Sequence, residues 1–223
     1  MSKNVLVVAA HPDDEVLGAG GTIARHVADG DCVRVVFMAD GVASRDAGDP
    51  EADMRRSEAA DAALDILGVR ESYHLGFADN SMDETTLLSV VKKLEPVLRK
   101  CSPDVIYTHH FGDLNIDHRI TQQAVMTICR PQPGEPCREI YGFEVLSSTE
   151  WQTVGDRPFL PSLFVDISSF VDRKLKALFA YAEEMRTVPH SRSVEHAELL
   201  ARHRGHSVGV MHAEAFEVYR IIR

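Results

Sequence analysis

The chain has 223 residues, 44% apolar and 26% charged, a composition that suits one soluble globular domain with a full core. A formal net charge of −10 argues against non-specific nucleic-acid binding, which neutralises phosphates with Lys and Arg, so no nucleic-acid partner is expected. The first apolar run is too short, and too soon interrupted by His11 and Pro12, for a signal peptide or membrane span; a cytoplasmic protein is expected.

In chain order, Val5 to Ala10 reads as a buried parallel strand, because polar and apolar residues do not alternate. It runs into His11-Pro12-Asp13-Asp14-Glu15. Gly18, Gly20 and Gly21 follow, with a helix expected from about Gly20 that buries Ile23 and Val27. No Lys-Ser/Thr follows at P-loop spacing, and G-x-G-x-x-G is incomplete, so a dinucleotide site is a weak alternative. Cys32 to Ala39 reads as a second strand ending at the acid Asp40. Residues 42–53 read as a loop and Met54 to Leu67 as a helix closed by Gly68. Ser72 to Leu75 is a short third strand, followed by a loop over 76–83. Glu84 to Cys101 is an amphipathic helix with Leu87, Leu88, Val91, Leu94 and Leu98 on one face; Pro96 is expected to kink or restart it.

Pro103 to Thr108 is a fourth strand that runs into His109-His110, and a helix is expected from about Ile120 to Cys129. Strands are expected over Glu139 to Leu146 and Phe164 to Ile167. Helices are expected over Val171 to Met185, capped by Ser168 or Ser169, and over Val194 to Arg204, with a final alternating segment from Ala215 to Ile222. The β-α alternation predicts an α/β fold: a Rossmann-like, mostly parallel sheet with helices on both faces. The chain reads as a single domain over 1–223, with a core in 1–146 and 147–223 covering the site and completing the fold. Cys32, Cys101, Cys129 and Cys137 show no C-x-x-C spacing and are expected to be buried thiols.

In open α/β sheets the chemistry lies beyond the carboxyl ends of the strands. His11 and Asp14 offer one nitrogen and one oxygen ligand there. A third ligand is available from His109, His110 or His118 after the fourth strand. Two His and one carboxylate with an open position make a catalytic zinc site. Successive side chains diverge, so Asp13 is free to act as base towards water on the metal.

These residues resemble a known family. Ala10-His11-Pro12-Asp13-Asp14-Glu15 is similar to the signature of the PIG-L/LmbE zinc-dependent N-acetylglucosaminyl deacetylases. Gly18 to Ile23, Arg56-Ser57-Glu58 through Leu67-Gly68, Asp117-His118-Arg119 and Ala213-Glu214-Ala215-Phe216 resemble its further motifs in order and spacing. The resemblance implies a Rossmann-like deacetylase of N-acetylated amino sugars. It implies His11, Asp14 and His118 as metal ligands, Asp13 as general base and Arg56 as a residue holding sugar hydroxyls. It implies zinc, with Fe2+ as another divalent metal the set could take, and assembly as a trimer or hexamer.

One departure stands out. Many members have His-Pro-Asp-His where this chain has Asn115-Ile116-Asp117-His118. Asn115 can donate to an oxyanion but cannot deliver a proton. The proton donor would then be Asp13 itself, His109, His110 or Asp113. His110, Asp113 and His190 are candidate substrate contacts, His190 because His190-Ser191 resembles a His-Ser pair near the active site of relatives. Asp117 is expected either to orient His118 or to cap a helix. His212 is expected to be structural or exposed, and Trp151 to be either a sugar platform or core. The expected function is removal of acetyl from an N-acetylated amino sugar or its conjugate. Alternatives are an amidase on another sugar-linked amide, such as a thiol precursor or antibiotic-like glycoside, and a non-catalytic sugar-binding relative.

Overall fold

The computed structural model describes residues 2–39 and 50–223. Seven strands form one sheet: β1 (Asn4–Ala9), β2 (Cys32–Ala39), β3 (Glu71–Phe77), β4 (Val105–His109), β5 (Glu139–Phe143), β6 (Leu163–Asp166) and β7 (Ala213–Ile221). Their order is β3-β2-β1-β4-β5-β7-β6. Strands β1 to β5 pair in parallel, and β7 is antiparallel to both β5 and β6. The helices are α1 (Asp14–Ala28), α2 (Pro50–Leu67), α3 (Leu87–Cys101), α4 (Ile116–Ile128), α5 (Val171–Ala180) and α6 (Val194–His206). The expected Rossmann-like α/β sheet is therefore present, with one antiparallel strand, β7, contributed by the C-terminal third.

The continuous apolar character of β1 and β2 follows from burial on both faces. Val5, Val7, Ala9, Val35 and Phe37 meet Leu17 and Ile23 of α1, Leu64 and Leu67 of α2, and Leu178 of α5. Leu6, Val8, Val36 and Met38 meet Val90, Leu94 and Leu98 of α3 and Val125 of α4. Each large side chain buried this way contributes about 1.5–3 kcal/mol. The chain winds from β1 outwards to β2 and β3, then returns to the other side of β1 with β4. The strand order reverses between β1 and β4, so the crevice at their carboxyl ends is the natural ligand site of this topology.

Several elements differ from expectation. Helix α1 starts at Asp14, not near Gly20, but it is broken at Ala19 (φ −144°, ψ 15°). The break exposes fresh N–H groups, which Glu214 of β7 accepts from Gly21 (2.9 Å) and Thr22 (2.7 Å). Gly18 is required because a Cβ there would overlap the Phe143 ring. Helix α3 begins at Leu87 behind the Thr86 cap and runs through Pro96 without interruption. Helix α4 begins four residues earlier than expected, at Ile116, and α2 begins at Pro50 rather than Met54. Helix α5 ends at Ala180, not Met185, and neither Ser168 nor Ser169 caps it: its N-cap is Phe170, with no side-chain bond, while Ser168 Oγ bonds Asp166. Cys32 is exposed, at the first residue of β2, while the other three thiols are buried. Asp40 and residues 42–49 of the expected loop lie outside the described residues.

Candidate metal centre

The turn from β1 into α1 is held in an unusual shape. Asp13 has φ 112°, a region an L-residue adopts only when its surroundings impose it. They do so through hydrogen bonds. The Asp13 N–H donates to Glu15 Oε2 (3.0 Å), its carbonyl accepts from Val16 and Leu17, and the His11 N–H donates to Asp14 Oδ2 (2.9 Å). Glu15 is buried and also accepts from the Tyr181 hydroxyl (2.6 Å). Burial pushes its carboxyl up to about 8, although the Tyr181 bond works the other way.

This turn brings His11 and Asp14 to His118, on the first turn of α4. One ligand atom from each lies within 4.8 Å of the others, and all three residues are buried. Asp14 Oδ2 is 3.3 Å from His11 Nδ1, 3.3 Å from His118 Nε2 and 3.6 Å from His109 Nε2. Burial opposes charge on Asp14, but His118 and the contact with His11 outweigh it and hold the carboxyl well below the usual range. Burial likewise opposes charge on His118, yet Asp14 and Asp113 lift it to about 9. A carboxylate ringed by imidazoles in a dry setting calls for positive charge at its centre. Two imidazoles and a carboxylate are a donor set that zinc accepts. The residues present therefore fit a divalent cation.

The carboxylates behind the imidazoles are divided differently from expectation. Asp117 neither orients His118 nor caps α4. Its Oδ2 lies 3.1 Å from His11 Nε2, where Asp79 Oδ1 also sits at 3.1 Å, and its Oδ1 accepts the Met82 N–H (3.0 Å). Asp113 is the partner of His118, with Oδ1 at 3.2 Å from Nδ1. Asp113 also accepts from Ser148, from Thr149 (2.5 Å) and from the Asn115 N–H (2.9 Å), so its carboxylate is enclosed. His109 stacks on His118, with ring centroids 3.9 Å apart, and its Nε2 accepts the Ala10 N–H (2.8 Å). Burial and the neighbouring His118 hold its pKa well below the ordinary value, which leaves the ring neutral.

Asp13 is buried with its two oxygens in different settings. Oδ2 accepts from Arg192 Nη1 (2.8 Å) and lies 3.5 Å from Arg56 Nη2; Oδ1 has no hydrogen-bond partner. Arg56 also donates to the Pro12 carbonyl (2.5 Å) and pairs with Glu184. Asn115 is the N-cap of α4: its Oδ1 accepts the Asp117 N–H (2.8 Å) and its Nδ2 donates to Asn80 (2.8 Å). The structure places His110 apart from this cluster. It is buried, with Nδ1 on Glu217 (2.6 Å) and Nε2 on the Arg157 carbonyl (2.8 Å). His190 accepts the Arg192 N–H (3.0 Å) and meets the half-exposed Trp151 edge-on, so Trp151 is not core. His212 is part-buried and its backbone bonds Ser168 and Ile167, in keeping with a structural role.

Sequence reasoning missed Asp79, Glu184 and Arg192. Asp79 stood in a segment read as a plain loop, and nothing local marks it. Arg192 carried a signal, as a cation two residues from His190. The pairing of Glu184 with Arg56 had none.

An α/β sheet with a buried His-Asp-His cluster at its reversal point has the arrangement of an enzyme fold whose site could hold a metal ion. The model of the PIG-L family, GlcNAc-PI de-N-acetylases, matches residues 6–129, and the chain belongs to that family. It is similar to an uncharacterised deacetylase, YaiS, of Escherichia coli (strain K12): 32% identity over 182 residues, covering 79% of this chain and 89% of the relative. It is also similar to 4-oxalmesaconate hydratase of Pseudomonas putida, at 32% identity over 190 residues, 79% of this chain and 72% of the relative. Among solved structures, the conserved protein TT1542 from Thermus thermophilus superposes with a TM-score of 0.78 at 29% identity, covering 99% of this chain and 96% of that one. Further relatives are deacetylases of N-acetylated sugars. No helix among the described residues is long and apolar enough to cross a membrane.

Proposed function

We propose that the protein is a metal-dependent hydrolase that removes acetyl from an N-acetylated amino sugar or its conjugate. The observation that carries this reading is the convergence of His11, Asp14 and His118 next to Asp13, a buried carboxylate with one oxygen anchored and one free. A divalent cation, zinc in the first instance, would be held by His11, Asp14 and His118, and would polarise the amide carbonyl and acidify the attacking water.

The remaining work falls to side chains. Asp13 Oδ1 takes a proton from the attacking water. The water oxygen bonds to the acyl carbon. Asp13 then returns the proton to the amide nitrogen, the C–N bond breaks, and acetate and a free amine leave. Arg192 and Arg56 fix Oδ2 so that Oδ1 faces the reaction. Of the candidate donors His109, His110 and Asp113, none is poised as the acid: His109 is neutral, both His110 nitrogens are engaged, and the neighbouring His118 keeps Asp113 ionised against burial. Asn115 gives one amide hydrogen to Asn80, leaving the second for a developing oxyanion. Arg56, buried against Glu184, the Pro12 carbonyl and Asp13, holds the base in place rather than sugar hydroxyls in this reading.

The test is acetate release from a panel of N-acetylhexosamine compounds with zinc added. Asp13→Asn should keep the bound metal and lose about 10²–10⁴-fold in turnover. Release of acetate at the wild-type rate by that variant would overturn the role of Asp13. A second reading, addition of water to a carbon–carbon double bond, is favoured by the equal identity to the hydratase. It predicts consumption of an unsaturated acid and no acetate from any amide.

A further inference from the structure

The segment from Gln152 to Pro158 crosses the outside of His110. Residues 153–158 are exposed, Val154 fully so. Among the described residues, the only backbone–backbone hydrogen bond of this segment is internal, from the Asp156 N–H to the Thr153 carbonyl (3.2 Å). Side chains hold the rest. The Arg157 carbonyl accepts from His110 Nε2 (2.8 Å) and from Gln152 Nε2 (2.8 Å), and Phe159 meets the His110 ring edge-on with centroids 5.5 Å apart. Arg157 has φ 49°, a conformation that a residue other than glycine keeps only where its surroundings hold it. It lies so close to Gly112 that a Cβ there would overlap the Arg157 Cβ and carbonyl oxygen. Gly112 adjoins Asp113, the carboxylate beside His118, so the segment is a strap over the turn that carries Asp113.

His110 is buried between two groups that can only accept. Nδ1 lies 2.6 Å from Glu217 Oε2, and Nε2 lies 2.8 Å from the Arg157 carbonyl. Both contacts are hydrogen bonds only while both ring nitrogens carry protons, that is, as imidazolium. A neutral ring keeps one proton, and the carboxylate, the stronger acceptor, retains it on Nδ1. The Nε2 lone pair then faces a carbonyl oxygen, and an attractive contact turns repulsive. The groups around the ring keep their charge through this change. Burial opposes charge on Glu217, but His110, the Leu160 N–H (2.8 Å) and the Tyr219 hydroxyl (3.1 Å) hold it below 4.5. Burial keeps the Tyr219 hydroxyl protonated, and His118 keeps Asp113 ionised against burial. Arg204 of α6 lies beyond the Phe159 ring, 5.7 Å from its centroid.

We propose that residues 152–158 form a pH-gated strap, closed by the His110 imidazolium and released when Nε2 gives its proton to solvent as pH rises. Gln152 is then the one side chain still donating to the Arg157 carbonyl, and release uncovers Gly112 and the turn at Asp113.

The test is an NMR titration of the zinc-loaded protein. Ring 15N shifts should show His110 doubly protonated at about pH 6 and protonated on Nδ1 alone at about pH 9. The Leu160 N–H, bound to Glu217, is the first hydrogen-bonded amide beyond the strap. Its protection factor in hydrogen exchange, which removes the intrinsic effect of pH, should fall about ten-fold or more over that range, while the Val7 amide of β1 keeps its protection. In His110→Gln a side-chain amide donates to Arg157 without titrating, so protection at Leu160 should stay high and flat. In His110→Ala it should be low and flat. Protection at Leu160 that does not change with pH in the wild type overturns the proposal. So does a fall shared by Val7, a fall that persists in His110→Gln, or a proton that leaves Nδ1 before Nε2. The wild-type titration decides by itself if either variant fails to fold.

Discussion

Two aspartates four residues apart serve two different imidazoles. Asp113 lies 3.2 Å from His118 Nδ1 and Asp117 3.1 Å from His11 Nε2, so each ring has a carboxylate beside the nitrogen turned away from Asp14. A histidine fixed in this way presents its near nitrogen to the metal in one tautomer and one orientation. Asp113→Asn and Asp117→Asn should therefore each weaken zinc binding by about 10–100-fold, measured by competition with a chelator. His118→Ala should remove the site, whereas His110→Ala should leave the zinc stoichiometry intact, because His110 faces Glu217 instead. The choice of His118 among three candidate histidines did not follow from spacing alone, since His109, His110 and His118 all follow β4. The resemblance to the family selected it, and the convergence of its ring with His11 and Asp14 supports that choice.

At the level of elements, α1 behaves as two short helices joined at Ala19. The first positions Asp14; the second starts with N–H groups that Glu214 accepts, and Lys174 ties Glu214 (2.6 Å) to the Leu17 carbonyl (2.8 Å) on the other side of the break. Gly18 lets this joint press against Phe143 of β5. Gly18→Ala should cost about 1–3 kcal/mol in urea unfolding, since the new methyl group has to displace that ring. Strands such as β2 were legible because a strand buried on both faces is a continuous apolar run. The helix starts were less so. The first turn of α4 is Ile116-Asp117-His118-Arg119, whose residues serve the site and break the apolar period. The first half of α1 likewise opens with Asp14 and Glu15. Where residues are used for chemistry, helical periodicity is lost, and the start of α1 moved furthest of any boundary.

Across the whole molecule, the C-terminal third does more than cover the site: β7 is built into the sheet between β5 and β6. Glu217 on β7 joins His110 after β4 and the Leu160 N–H (2.8 Å) in the preceding segment. Burial opposes charge on both partners of this pair. Even so, Glu217 and the Arg157 carbonyl raise His110 above 6.5, and His110 and the Leu160 N–H lower Glu217 below 4.5. The stabilisation from His110 is complete below about pH 6.5 and is lost as pH rises through its folded value. The stabilisation from Glu217 is complete above about pH 4.5 and is lost as pH falls through its folded value. The penalty of Glu217→Gln should thus be greatest between about pH 4.5 and 6.5, at about 1.5–3 kcal/mol. It should shrink by pH 9, as followed by urea unfolding across that range.

The reach of Glu214 to Gly21 and Thr22 spans 193 and 192 positions of sequence. During synthesis the turn that carries His11 and Asp14 emerges long before the group that steadies its helix. A nascent chain holds every ligand once His118 is out, yet it lacks the Glu214 cap on the broken helix behind Asp14. Chains stopped at residue 210 should therefore bind zinc weakly or not at all while still containing His11, Asp14 and His118. Tight, stoichiometric zinc binding by such a chain would show that the ligands can organise themselves without the last strand. A late-arriving strand that steadies the site would delay metal loading until β7 has been made.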